Sequence, residues 1–368
     1  MHEASPPPMT PPPLNPQPLT GPPIAETATL MFREAAESSD AVARMLATNA
    51  AAFAALGARL RATPPAVVVT CARGSSDHAA VYGKYLIWTK TGIPVAAAAP
   101  SVVSIYEAPL GARNTLCIAV SQSGRSPDLL AAVAAQKAAG AHVVAFVNDE
   151  TSPLAETADT LIPLCAGPEK SVAATKSYIC SLAAFAALTA EWADDDGLRR
   201  AVAALPTDLA RAWTLDWSAA VAPLRTATNL FVIARGMGLG IANEAALKMK
   251  ETCALHAESF SSAEVRHGPM QLVEAGFPLL ALATSDAAGD GVRDAAREFA
   301  DRGAAVLLAD AGLDGSTDDG VLPALKAHPA IEPILLIQSF YRMVNALSVA
   351  RGFNPDAPSH LSKVTRTL

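Results

Sequence analysis

The sequence predicts an α/β protein made of two doubly wound domains, each a parallel sheet flanked by helices. Short β-branched runs alternate with helical stretches, which is the grammar of βαβ units. The alternation occurs twice. Cys71-Ala-Arg-Gly returns as Ile233-Ala-Arg-Gly, 162 residues later. The series strand, Val120-Ser-Gln-Ser-Gly, helix, Gly140, strand is echoed from Ala283-Thr-Ser-Asp to Gly303 at an offset of 163. Two matches at nearly one spacing mark an internal duplication.

The elements follow in order. Residues 1–26 form a Pro-rich arm, with prolines at 6–8, 11–13, 16, 18, 22 and 23; fixed φ and missing donors keep such a run extended and solvated. A helical stretch spans about 27–62. Ala66–Ala72 reads as a buried strand, and Ser75–Lys90 as a helix. Thr115–Val120 is a strand, Pro127–Ala139 a helix ending at Gly140, and His142–Val147 a strand. The first domain therefore spans 27–195. Asp194–Asp196 and Pro206 mark 196–212 as the linker. The second domain, 213–350, opens its sheet with the strand 229–234, and a tail of 351–368 follows.

Composition narrows the function classes. The chain has 368 residues, 51% hydrophobic and 17% charged, enough to bury cores for two domains. A net charge of −7 argues against a nucleic-acid partner, which needs a basic face. The longest apolar stretch, Ile179–Ala190, is too short to cross a bilayer, and no signal peptide is legible. Five cysteines with no CxxC spacing read as buried, reduced thiols of a cytoplasmic protein, and no metal site is expected.

Two turns at strand ends carry the candidate site. Ser121-Gln122-Ser123-Gly124-Arg125-Ser126 lies between a strand and a helix starting near Pro127, and Arg73-Gly74-Ser75-Ser76 occupies the same place after the first strand. Ligands of open parallel sheets bind at the carboxyl ends of strands. There a helix N-terminus offers free N–H groups and the positive end of its dipole to an anion. Hydroxyls add donors, and glycine lets the backbone approach. In the second repeat Thr284-Ser285-Asp286 places a carboxylate where it would repel phosphate, so the phosphate site belongs to the first domain. On a later helix Glu244, Lys248 and Glu251 fall at i, i+4 and i+7. Such a stripe is either a surface ion-pair ladder or, beside Ala245, Ala246, Leu247 and Met249, a carboxylate–lysine group on a buried face.

Taken together, the two Ser-rich turns, Asn243-Glu-Ala-Ala-Leu-Lys-Met-Lys-Glu251, Glu264-Val-Arg-His-Gly-Pro269 and Leu361-Ser-Lys-Val-Thr365 resemble tandem sugar-isomerase (SIS) proteins over residues 27–368. The resemblance extends to the isomerase half of glucosamine-6-phosphate synthase and to stand-alone amino-sugar-phosphate deaminases. It implies five-stranded, flavodoxin-like domains in a homodimer, no cofactor, and a phosphorylated amino sugar as ligand. By the same resemblance Ser121, Gln122, Ser123 and Ser126 hold phosphate, with Arg73, Gly74, Ser75 and Ser76 joining the cradle. Val172 contacts sugar hydroxyls through its backbone, Glu251 shuttles the proton, and His267 opens the ring from the other subunit. Glu244, Lys248 and Lys363 match further active-site positions. The synthase has Cys-Gly-Thr-Ser at the first turn, where this sequence has Arg73-Gly74-Ser75-Ser76. It also begins with a glutamine-hydrolysing domain, which the residues after Met1-His2-Glu3 do not match. The expected reaction is accordingly deamination rather than glutamine-dependent synthesis.

The residue types suit that chemistry. Isomerising a 2-amino aldose needs ring opening, C2-to-C1 proton transfer and stabilisation of an enol-type intermediate. A histidine can exchange the ring-opening protons near neutral pH, one carboxylate can serve C2 and C1 from one face, and a lysine can stabilise developing charge. An aldose–ketose isomerase, a fructosamine-phosphate deglycase and a non-catalytic sugar-phosphate sensor remain alternatives.

Overall fold

The computed structural model describes residues 24–313, 320–361 and 363. Most of the Pro-rich arm, and Ser362, Val364 and Thr365 of the tail motif, lie outside these residues. The first half contains α1 (Leu30–Ala36), α2 (Ser38–Ala62), β1 (Val67–Cys71), α3 (Ser75–Thr91), β2 (Val95–Ala97), α4 (Ser101–Ser104), β3 (Thr115–Ser121), α5 (Pro127–Ala138), β4 (His142–Val147), α6 (Pro153–Thr157), β5 (Thr160–Pro163) and α7 (Lys176–Trp192). Then come α8 (Asp196–Thr214), α9 (Val221–Leu224), β6 (Asn229–Ala234), α10 (Gly238–Cys253), β7 (His256–Ser261), β8 (Pro278–Ala283), α11 (Ala287–Asp301), β9 (Ala305–Asp310), β10 (Val321–Leu322) and α12 (Glu332–Ala350).

Both sheets are five-stranded and parallel throughout, in the orders β2-β1-β3-β4-β5 and β7-β6-β8-β9-β10. Replacing each strand of the first sheet by its counterpart in the second gives the same order, so the repeat inferred from sequence is a repeat of topology. Strand alternation sorts the core into three parts. Val68, Ile118, Val120 and Phe146 of the first sheet share one buried cluster with Leu230, Val232, Leu280 and Leu307 of the second. The opposite faces pack separately, Cys117, Ala119 and Val143 under α5, and Ile233, Leu279 and Ala281 under α11. The shared cluster is filled by α7 and α12, which are buried along nearly their whole length. It fixes the two domains against each other and brings α10 alongside α3.

The segment 196–212, expected as the linker, is helical. It lies within α8, whose apolar residues Leu198, Val202, Leu205, Leu209 and Ala212 recur at helical spacing and are buried. That face outweighs the backbone bond lost at Pro206. Ile179–Ala190 lies within α7, which is 17 residues long and buried along nearly its whole length. Among the described residues α2, at 25 residues, is the one helix long and apolar enough to cross a membrane. Its buried face (Ala41, Val42, Met45, Phe53, Leu56, Leu60) belongs to the shared core, and it carries Asp40, Arg44, Arg59 and Arg61.

Candidate active site

A cavity of about 460 Å³ opens at the carboxyl ends of β1 and β3. The first domain contributes the Arg73–Ser76 turn, Ser121, Gln122, Ser123 and Ser126. Lys248 and Glu251 of α10 enter from the second domain, Val172 from the loop before α7, and Leu361 and Lys363 from the tail. Of the residues singled out from sequence, only Glu244 and His267 do not line it.

The turns take the shape expected of an anion cradle. Gly74 caps α3 at φ 54° and ψ −133°, a conformation open to glycine and strained for other residues. Gly124 has φ 63°, and a Cβ there would lie 2.2 Å from Ser152 Oγ. The hydroxyl oxygens of Ser121 and Ser123 accept the backbone N–H of Gly124 (2.9 Å) and Arg125 (3.4 Å), which leaves each hydroxyl proton free to be donated. Ser126 precedes α5 without a side-chain capping bond. Arg73 reaches the cavity differently from the expectation. Its guanidinium is already engaged by Asp128, Nε at 2.8 Å and Nη2 at 2.6 Å from Oδ2, so its charge is shared with a carboxylate in the first turn of α5.

The stripe on α10 is no surface ladder, because Glu244 and Lys248 are fully buried. Lys248 Nζ donates to Glu251 Oε2 at 2.5 Å and to Ser75 Oγ at 3.1 Å, and lies 3.4 Å from Glu244 Oε1. Glu244 stands behind the lysine. Its Oε1 accepts Tyr341 Oη at 3.1 Å, and its Oε2 meets His78 Nδ1 at 3.0 Å. Burial opposes charge on Glu244, but the Lys248 ammonium and the hydrogen bond with His78 outweigh it and hold the carboxyl below its usual range. Burial likewise opposes charge on Lys248, and the two carboxylates overcome it, keeping the ammonium charged. Only Glu251 of the three faces the cavity with its side chain partly exposed.

The opposite wall rests on residues that the sequence did not single out. Glu169 is buried and accepts the N–H of Thr175 (3.0 Å) and Ser177 (3.1 Å), the Ser177 hydroxyl (2.6 Å) and Lys363 Nζ (3.3 Å). Lys363 also donates to Ser171 O at 2.7 Å. Glu34 of α1 accepts the N–H of Lys170 and Ser171. Asp356 ties the tail to α1 through the N–H of Leu30 (2.7 Å) and Met31 (2.8 Å), and its carbonyl accepts Val172 N at 3.3 Å. That last bond occupies the Val172 N–H, which is therefore not free for a sugar hydroxyl. His267 is exposed on the turn after Glu264–Arg266 and stands apart from the cavity of its own chain.

Comparison with known proteins decides the family. The SIS domain model matches residues 66–190 and 223–318. The chain belongs to the SIS domain family. It is 34% identical over 310 residues to the glutamine–fructose-6-phosphate aminotransferase of Aeropyrum pernix, covering 79% of this chain and 49% of that protein. The corresponding protein of Zymomonas mobilis is 33% identical over 314 residues, 80% of this chain and 51% of that one. The chain thus spans about half the length of these curated relatives. Among solved structures, a candidate phosphosugar isomerase of Silicibacter pomeroyi superposes with a TM-score of 0.83 at 45% identity, covering 89% of this chain and 100% of that one. The C-terminal domain of the Francisella tularensis glucosamine-fructose-6-phosphate aminotransferase has the same SIS fold, with a TM-score of 0.81 at 22% identity over 90% of this chain and 98% of that one.

Proposed function

We propose that this SIS protein is a phosphosugar isomerase that acts on an amino-sugar 6-phosphate and releases ammonia, with glucosamine 6-phosphate as substrate. One observation carries the reading: a hydroxyl-rich cradle at two helix N-termini and a lysine-paired carboxylate share a single cavity. The names of the similar aminotransferases point to a hexose 6-phosphate bearing or receiving nitrogen at this kind of site.

In this reading Ser75, Ser76, Ser121, Gln122, Ser123 and Ser126 hold the phosphate. Glu251 removes the C2 proton of the open-chain amino aldose and returns it at C1. The product is a C2 ketimine, and water adds to it. The C–N bond breaks and leaves fructose 6-phosphate and ammonia. Lys248 places a fixed positive charge beside the developing enolate-type anion, where burial makes it more effective than in water. Lys363, held by Glu169, faces the same cavity and orients the sugar. His267 assists ring opening from a second copy of the chain in a homodimer.

The test is to incubate the purified protein with glucosamine 6-phosphate and follow ammonia and fructose 6-phosphate. Equal release of the two is expected. Glu251→Gln should lower kcat by roughly three orders of magnitude, the scale of a general acid–base group, while still binding the sugar phosphate. Full activity in that variant would remove Glu251 from the mechanism. Isomerisation without ammonia would favour a plain aldose–ketose isomerase, and binding without turnover a sensor.

A further inference from the structure

The proposed chemistry uses α10 but leaves unexplained why a histidine of the other domain sits against its buried carboxylate. The first turn of α3 presents Ser75 and His78, three residues apart, to α10, which presents Glu244 and Lys248, four residues apart. Ser75 Oγ accepts Lys248 Nζ at 3.1 Å, and His78 Nδ1 pairs with Glu244 Oε2 at 3.0 Å, so the helices are joined by two adjacent rungs. They meet closely because residue 240 is glycine. A Cβ there would lie 2.6 Å from His78 O and 2.8 Å from Tyr82 N. The same α3 turn forms one wall of the cradle. Asp77 neighbours the imidazole on its own segment and is itself close to Arg73, and from α12 Tyr341 donates to the other oxygen of Glu244.

We propose that His78 is a positioning residue for the Lys248–Glu251 pair: its Nδ1–H donates to Glu244, holding that carboxylate behind Lys248 so that the ammonium stays directed at Glu251 and Ser75. This rests on the function proposed above. Glu244 has four partners, His78, Tyr341, Lys248 and the Ser75 hydroxyl. Without His78 a fully buried carboxylate loses one of its donors, and Lys248, the charged group among those that remain, is drawn further toward it. That movement draws the ammonium away from Glu251 and leaves the cradle intact.

The experiment combines kinetics with nitrogen NMR. His78→Leu is expected to lower kcat at least ~10-fold with KM for glucosamine 6-phosphate changed less than ~2-fold, the pattern of a contact that matters only in the transition state. His78→Asn places an amide N–H near the Nδ1 position and is expected to restore most of kcat. In the wild-type protein the His78 signal should report a protonated Nδ1. The proposal is overturned by wild-type kcat in His78→Leu, by an Asn variant as impaired as the Leu variant, or by an unprotonated Nδ1. The NMR arm needs neither a folded variant nor turnover. A wild-type protein inert toward glucosamine 6-phosphate would end the functional reading, while the Nδ1 result would still decide the hydrogen bond.

Discussion

Glu169→Gln gives a strong test of how the site wall is held. The carboxylate accepts four hydrogen bonds while buried: two backbone N–H groups on Oε1, and the Ser177 hydroxyl and Lys363 on Oε2. Glutamine keeps the shape but turns one oxygen into a donor. The Ser177 hydroxyl loses its acceptor, Lys363 faces an N–H₂, and the two backbone bonds become neutral. Hydrogen bonds to a charged group contribute about 1.5–3 kcal/mol each and neutral ones about 1. Lys363 is one-quarter exposed, so much of its ion-pair contribution is discounted for solvent. The net expectation is a loss of about 2–4 kcal/mol at pH 7, read as a shift of the urea midpoint on the order of 1 M.

The pH dependence makes that test sharper. Burial alone would raise the Glu169 pKa, but Lys363, the Ser177 hydroxyl and the backbone donors overcome it and hold the carboxyl below the usual glutamate value. A depressed folded pKa stabilises the protein above the unfolded pKa, near ~4.3, and that stabilisation is lost as pH falls through the folded value. The gap between wild type and Glu169→Gln should therefore be constant from pH 7 to about 5. Below ~4.3 it should close by about 1.4 kcal/mol per pH unit until the folded value is passed. Equal midpoints at pH 7, or a gap that does not narrow in acid, would refute the reasoning.

Two further outcomes follow from packing and capping. Gly83→Ala would place a Cβ 2.4 Å from the Phe185 ring where α3 crosses α7, and should destabilise by about 1–3 kcal/mol in urea unfolding. A neutral effect would mean that α3 and α7 separate more readily than their packing implies. Asp356→Ala removes the carboxylate from the N–H groups of Leu30 and Met31, and should cost about 1 kcal/mol in thermal or urea unfolding. Because the Asp356 carbonyl also takes Val172 N, the same variant should raise KM for the sugar phosphate, and an unchanged KM would separate the tail from the site.

The parts legible in sequence are those with local causes. A parallel strand buried on both faces must be a continuous apolar run, and a strand–helix turn that binds an anion must concentrate glycine and serine. Residues 66–76 and 115–127 therefore announce both the sheet and the cradle. The helical stripe of Glu244, Lys248 and Glu251 is equally visible, but the sequence leaves its burial open between two readings, because burial depends on α3 and α12 packing over it. The supports of the site have no local signature. Glu34 meets Ser171 across 137 positions, His78 meets Glu244 across 166, and Lys363 meets Glu169 across 194. Each pairing exists only after the two sheets share one core. Arg73 shows the opposite error: its place in the motif was readable, but the Asp128 that engages it was not.

The duplication also explains why one copy alone carries the cradle. In the second repeat the turn after β8 is filled from within. Asp286 caps α11 through Gly289 N at 3.3 Å and accepts the Thr284 hydroxyl at 2.6 Å. Glu332 of α12 takes both the N–H and the hydroxyl of Ser285 at 2.7 Å. Two carboxylates thus occupy donors equivalent to those that the first repeat keeps for a ligand. In the first repeat the carboxylate in the first turn of α5, Asp128, is offset by Arg73, and the turn hydroxyls keep their protons to donate. The same topology leaves an open, hydroxyl-rich turn in one copy and a self-capped turn in the other. The second copy contributes instead through α10, whose carboxylate–lysine pair reaches the cradle only because the shared core sets that helix against α3.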